Sequence, residues 1–216
     1  MNIVWYGQSF FELGVKGQDG EVKIAVDPFG ENLGLKVPKV EASLALISHQ
    51  HSDHNNLKAI SGNPFVIDTA GEYEVKGIFI KGISAFNDNQ KGQERGAVVI
   101  YTIEAEGMRL CHLSDLGQKE LTPEQIEEIG EVDILMIPAG GKYTVDAKDA
   151  SEIISQIEPK VVIPMHYQVA GAGSDLDSMD KFYKVMGVEG LVKQKKLKIS
   201  AKDLPKEDTQ IIVLEP

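Results

Sequence analysis

Apolar and polar positions alternate over short stretches in the first half of the chain. Asn2 to Tyr6 and Ser9 to Val15 are brief apolar or aromatic runs broken at Gly7. Glu21 to Val26 places Val22, Ile24 and Val26 on one face, the period of a strand with one buried side. Asp27-Pro28-Phe29-Gly30 stops that run with turn chemistry. Leu44 to Ile47 is apolar throughout and reads as a buried strand ending at Ser48. Phe65 to Ile67, Gly77 to Ile80, Ala97 to Ile103 and Met108 to Leu113 continue the series, mostly separated by glycine-containing turns.

The second half switches to helix–strand alternation. Thr122-Pro123-Glu124-Gln125 is a capping box with proline at the first helical position, and that helix runs to Ile129 before Gly130. Asp133 to Ile137 is a buried strand closed by Pro138-Ala139-Gly140-Gly141. Asp146 caps a second helix whose Ala150, Ile153, Ile154 and Ile157 follow the i, i+3, i+4, i+7 rule. Val161 to Ile163 is a strand ending at Pro164-Met165-His166. Ser178 to Met186 is a third helix, with Met179, Phe182, Val185 and Met186 on one face. Lys193 to Lys198 and Ile211 to Leu214 read as edge strands. Residues 168–177, rich in Gly and Ser, either cover a site or simply connect two elements.

Composition narrows the function classes. The 216 residues carry 22 Lys and Arg against 33 Asp and Glu, a formal charge of −11. That balance argues against a nucleic-acid surface and against docking on an anionic membrane. The lone Cys111 excludes a disulfide framework and an all-cysteine metal site. No apolar run approaches the length of a membrane span, and the start does not read as a signal peptide. A cytoplasmic protein is expected.

Three of the five histidines fall within His49-Gln50-His51-Ser52-Asp53-His54, just past an apolar strand. In extended chain His49 and His51 point the same way, so their imidazoles can converge on one metal. Asp53 and His54 come after the chain has turned and can face a second point. Imidazole with carboxylate suits zinc first, with manganese or iron as alternatives. Asp115 and His166 also follow strands. Each alone is more often a turn residue or a satisfied polar group, so the case rests on their combination.

The chain resembles the metallo-β-lactamase superfamily, and more narrowly the branch containing ascorbate-6-phosphate lactonase and related zinc-dependent hydrolases. The segments that carry the likeness include Trp5-Tyr6-Gly7, Val26-Asp27-Pro28, His49 to Asn55, Gly71-Glu72-Tyr73-Glu74-Val75, His112 to Gly117, Val132 to Pro138, Gly140 to Asp146 and Ile163 to Tyr167. The resemblance implies one α/β (α+β) domain over residues 1–216, a four-layer αββα sandwich with one or two divalent ions at an edge between the sheets. It implies His49 and His51 on the first ion, Asp53, His54 and His166 on the second, and Asp115 bridging. Asp53 is then also the catalytic residue that orients the attacking hydroxide. The implied activity is metal-dependent hydrolysis of a small lactone, ester or phosphodiester. The alternative is a catalytically degenerate descendant that binds a metal, a ligand or a partner.

The departures are specific. Asn87 stands where the family's third histidine for the first metal is expected, and an amide oxygen is a poor zinc ligand. Asp88 is the candidate substitute. Gln8 and Gln118 occupy two further places where the branch commonly has histidine, and Ser114 replaces a usual glycine. His112 either supports the site or makes a structural hydrogen bond. Tyr143, Thr144 and Tyr167 flank the expected site loops as candidate substrate contacts, with structural roles as the alternative. Because bound ions would set the local field, the overall acidity does not exclude an anionic small substrate.

Overall fold

Alternation in the strand Gly20–Val26 sorts its side chains onto two faces. Val22, Ile24 and Val26 enter the main core, while Ala25 joins a smaller cluster with Phe10, Phe29, Val40 and Ala42. A computed structural model, which describes residues 1–173 and 175–216, places this strand in a six-stranded sheet. The spatial order is Leu197–Lys198, Asn2–Trp5, Phe11–Gly17, Gly20–Val26, Leu44–Leu46 and Phe65–Ile67. A seven-stranded sheet runs Gln210–Ile211, Val161–Met165, Ile134–Pro138, Met108–His112, Ala97–Ala105, Ile78–Phe86 and Gly71–Val75. Tyr101 ties the two together, since its hydroxyl lies 3.0 Å from the carbonyls of both Ile47 and Ile67.

Each sheet joins an antiparallel part to a parallel part. Gly20–Val26, Leu44–Leu46 and Phe65–Ile67 are parallel, as are Met108–His112, Ile134–Pro138, Val161–Met165 and Gln210–Ile211. Parallel neighbours bring the loops after their carboxyl ends to one edge, where α/β sites form. Asp27, His49, Asp115 and His166 all lie in such loops.

The helices follow the sequence signals closely. α1 (Pro123–Ile129) has the full capping box and α2 (Ala147–Ile157) is capped by the Asp146 carboxylate, which accepts from the amides of Lys148 and Asp149. α3 (Met179–Met186) buries Met179 and Phe182. Val185, expected on that buried face, is 45% exposed. α1 packs on Ile78–Phe86 of the seven-stranded sheet, and α2 packs on α3. The outer face of the other sheet is packed by the segment from Phe29 to Ala42, which holds only the single turn Glu31–Leu33. Pro28, Gly30, Gly34 and Pro38 deny that segment a longer helix.

Two differences from the sequence reading have local causes. Gly71–Val75 is a strand on the sheet edge whose alternation of Glu72 and Glu74 with Tyr73 and Val75 is too short to stand out, the two apolar side chains being only partly buried. The stretch 193–198 splits into two short strands that join different sheets: Lys193–Gln194 pairs with Val213–Leu214, and Leu197–Lys198 with Asn2–Ile3. Loop 168–177 is tied down by Gly173 N to Leu33 O and Asp177 N to Gly140 O, both 2.8 Å. Ser174 within it lies outside the described residues. Among the described residues no helix is long and apolar enough to cross a membrane.

Candidate metal centre

The chain turns back on itself directly after the strand Leu44–Leu46. His54 N donates to His51 O at 3.0 Å, and Asn56 fastens the far end through Pro28 O at 2.8 Å and Phe29 O at 2.9 Å. His49 and His51 therefore converge, with His49 Nε2 2.9 Å from His51 Nδ1. The turn carries Asp53 and His54 round to a second, adjoining point, and the His49 and His54 ring centroids are 4.2 Å apart.

Asp115 and His166 complete that second point from the other sheet. His54 Nε2 is 3.2 Å from Asp115 Oδ1 and 3.7 Å from Asp53 Oδ2, and His166 Nε2 is 3.4 Å from Asp115 Oδ1. The other carboxylate oxygen, Asp115 Oδ2, faces His49 Nε2 at 4.0 Å. Asp115 thus stands between two groups of donors.

Close main-chain approach makes this convergence possible. A side-chain carbon at Gly117 would lie 2.4 Å from the Asn87 and Asp88 backbones, and one at Gly140 would lie 2.2 Å from the His166 carbonyl oxygen. Four residues around the centre, Gln8, Asp27, Ser114 and His166, hold φ near +50°. Each such non-glycine conformation costs about 1–2 kcal/mol, which the surrounding packing and hydrogen bonds offset.

Asp27 is the residue that the sequence reading placed in a turn and in a segment matching the family, without giving it a role of its own. It is fully buried and gathers Ser48 N at 2.8 Å, Ser48 Oγ at 2.7 Å, Ser114 Oγ at 2.7 Å and His54 Nδ1 at 3.1 Å. Burial raises its pKa, but the His54 hydrogen bond and charge outweigh that and hold it at about 2. A carboxylate at His54 Nδ1 keeps the proton there, so that a cation in the cage would displace only the Nε2 proton. Ser48 Oγ does the same at His49 Nδ1, 2.9 Å away. The signal for Asp27 was an aspartate at a strand's carboxyl end, beside those that also end in site residues.

Asn87 borders the first group of donors. Hydrogen bonding sets its amide so that the nitrogen donates to the main-chain carbonyls of Asp115 at 2.9 Å and Tyr143 at 3.2 Å. The oxygen then faces His49 Nε2, at the 3.4 Å spacing of that amide position. Gln8 Nε2 reaches His166 Nε2 at 2.8 Å and Asp53 Oδ2 at 3.4 Å.

Other expected positions do not join the cage. Asp88 turns into its own loop, where its two oxygens accept from the amides of Gln90, Gly92, Glu94 and Arg95 at 2.7–3.0 Å. That use of all its lone pairs corrects the expectation of a substitute ligand. His112 is buried with Nε2 3.2 Å from Ser9 O and Nδ1 accepting from Ser114 N, so both ring nitrogens are spent on backbone. Tyr167, a candidate for either a substrate contact or a structural role, takes the structural one: its hydroxyl donates to Leu214 O and its ring packs 5.0 Å from that of Trp5. Gln118 pairs with the Gln125 amide. Tyr143 is exposed under the Arg95 guanidinium, and Thr144 Oγ1 bonds the Val145 carbonyl.

The donor set fits a divalent cation. One ligand atom each from Asp53, His54, Asp115 and His166 lie within 4.8 Å of one another. Donors on one tetrahedral zinc are about 3.3 Å apart, close to the shorter spacings here. His54 Nε2, a buried ring nitrogen without a hydrogen-bond partner among the described residues, belongs to this cluster. The field also calls for positive charge. Burial pulls the His54 pKa down, yet the Asp115 and Asp27 carboxylates hold it well above the ordinary imidazole value. At His49, away from that double carboxylate contact, burial wins and lowers the pKa to about 4.

Comparison with known proteins agrees with this architecture. Residues 2–166 match the family model described as a beta-lactamase superfamily domain. A UPF0173 metal-dependent hydrolase from Thermoplasma acidophilum is 30% identical, the match covering 77% of this chain and 83% of the relative. A UPF0173 protein from Pyrococcus abyssi is 29% identical over 81% of this chain and 87% of its own. A crystal structure from Thermotoga maritima, assigned as a Zn-dependent hydrolase of the metallo-β-lactamase superfamily, is 34% identical with a TM-score of 0.79 and covers 99% of both chains.

Proposed function

The chain belongs to the metallo-β-lactamase superfamily, and from that premise we propose that it is a metal-dependent hydrolase of a small lactone, ester or phosphodiester. The observation that carries the reading is His54. Asp27 holds its Nδ1 at 3.1 Å, and its buried, unpartnered Nε2 is turned into a cage shared with Asp53, Asp115 and His166. The hydrolase names of the Thermoplasma acidophilum and Thermotoga maritima relatives support it.

In this reading Asp53, His54 and His166, with Asp115, would hold one divalent ion, zinc first and manganese or iron as alternatives. His49, His51 and the Asn87 amide oxygen would hold a second ion more weakly on the other side of Asp115. A bound ion supplies Lewis acidity and a water of lowered pKa. The protein's own part is positioning and proton handling. Asp27 and Ser48 fix the tautomers of His54 and His49. Asp53, the most exposed carboxylate of the cage at 24%, takes the proton of the attacking water at Oδ2, where Gln8 Nε2 steadies it. Gln8 and Asn87 donate or accept hydrogen bonds but do not titrate near neutral pH, so neither relays protons as a histidine would.

Those two amides also favour a second reading, a metal-binding protein that has lost turnover. Metal content by mass spectrometry together with hydrolysis of a lactone, ester and phosphodiester panel separates the two. The hydrolase reading expects at least one retained ion per chain and turnover of one substrate class, both abolished in His54→Ala. Retained metal with no turnover across the panel leaves the binding reading. Metal-free protein from metal-replete medium, unaltered by His54→Ala, removes both.

A further inference from the structure

The chain has two arginines, and the structure uses them differently. Arg109 is paired with Glu104 at 2.6 Å and also donates to the Ile129 carbonyl. Arg95 forms no ion pair among the described residues, although the chain carries 33 carboxylate side chains. A guanidinium offers five N–H donors in a fixed fork and no acceptor, so an unpaired one beside a site is spare binding capacity for an oxyanion.

The position of Arg95 is built rather than incidental. Its main-chain N donates to Asp88 Oδ2 at 2.7 Å, within the loop that the Asp88 carboxylate organises through four amides. Its guanidinium carbon sits 4.7 Å from the Tyr143 ring centroid, a cation–π seat on a ring that is 49% exposed. Its Nε is 3.5 Å from the Asn87 side-chain amide, and its terminal nitrogens make no hydrogen bond among the described residues. Asn87 in turn bonds the carbonyls of Tyr143 and Asp115. Arg95 and Tyr143 are therefore both wired to the residue that faces His49 Nε2, at the rim of the first group of donors.

Resting on the hydrolase reading, we propose that Arg95 is the anion-recognition residue of this centre and that the substrate carries an oxyanion group next to the bond that is cut. The Asp53 and Asp115 carboxylates and a formal charge of −11 oppose an anion, so a guanidinium beside any bound metal favours its capture. The Tyr143 stack leaves the guanidinium edge free for a bidentate contact and lowers the entropy lost on making it.

The test uses metal-loaded protein with inorganic phosphate and, separately, acetate as probes in titration calorimetry. Arg95→Gln is expected to weaken binding of at least one probe by about 10-fold or more while metal content stays the same, and Arg95→Lys to fall between. The preferred probe identifies the group as phosphate-like or carboxylate-like. In turnover assays, Arg95→Gln raises the KM ratio of an anionic over a neutral ester by about 10-fold. Unchanged affinity for both probes in Arg95→Gln overturns the proposal. Probe binding lost in Arg95→Gln while wild-type protein hydrolyses nothing keeps the anion site and removes the hydrolase reading.

Discussion

The Asn87 side-chain nitrogen donates to the Asp115 carbonyl at 2.9 Å, and this bond, with the one to Tyr143, decides that the amide oxygen faces His49. The same loop that places the Asp115 carboxylate thus orients Asn87, which we propose stands in for an imidazole. An oxygen donor there makes the first position weaker for zinc than three histidines would. Metal retained after passage over a chelator, read by mass spectrometry, should rise in Asn87→His, with affinity at the weaker position up by about 10-fold or more. Asn87→Leu should retain the tighter ion only. Identical retention in all three proteins would mean that position 87 is no ligand.

Asp27 serves two ends, and its variants separate them. Asp27→Asn keeps the shape but weakens the hold on His54 Nδ1, so metal affinity should fall about 10–100-fold. Asp27→Ala also strands three buried donors, Ser48 N, Ser48 Oγ and Ser114 Oγ, and should cost about 3 kcal/mol in urea unfolding of metal-free protein. Competition with a chromophoric chelator gives the first quantity. A normal metal affinity in Asp27→Asn would sever Asp27 from the centre.

Gly117 tests whether backbone contact is the constraint on the Asp115 loop. The added carbon in Gly117→Ala meets main-chain atoms of Asn87 and Asp88 that cannot swing aside, so destabilisation of about 3 kcal/mol is expected. Gly107→Ala is the control. Its φ of +73° is unfavourable, but nothing lies within 4 Å, and the cost should be about 1 kcal/mol. Equal effects at the two positions would remove the close-approach argument.

Tyr167→Phe leaves the buried Leu214 carbonyl without its partner while keeping the ring on Trp5. Stability should drop by about 1 kcal/mol, and the KM of any substrate found should stay within about 2-fold. A large KM change with unaltered stability would restore Tyr167 as a substrate contact.

Much of the architecture was legible because it is local. The capping box at Thr122, the Asp146 cap and the apolar face of α2 act within one turn of helix, and the strand runs from Asn2 to Leu113 announce themselves by alternation. Gly71–Val75 escaped because only Tyr73 and Val75 alternate with its glutamates, and it is held in place by pairing with Ile78–Phe86. Val185 was misplaced because α3 has only a narrow buried stripe, so a helical apolar residue beside it still meets solvent.

The centre divides the same way. The spacing His-x-His-x-Asp-His determines, by chain geometry alone, that His49 and His51 can converge while Asp53 and His54 follow a turn. Residue types at strand ends named Asp115 and His166. What Asp27, Asp88, His112 and Tyr167 do was decided only by the tertiary structure. A buried polar side chain must find a partner, and the partner it takes is whichever group the fold leaves unpaired beside it. For Asp88 that was four amides of its own loop, for His112 the Ser9 carbonyl, for Tyr167 the Leu214 carbonyl, and for Asp27 the imidazole of His54, brought there from 27 positions along the chain.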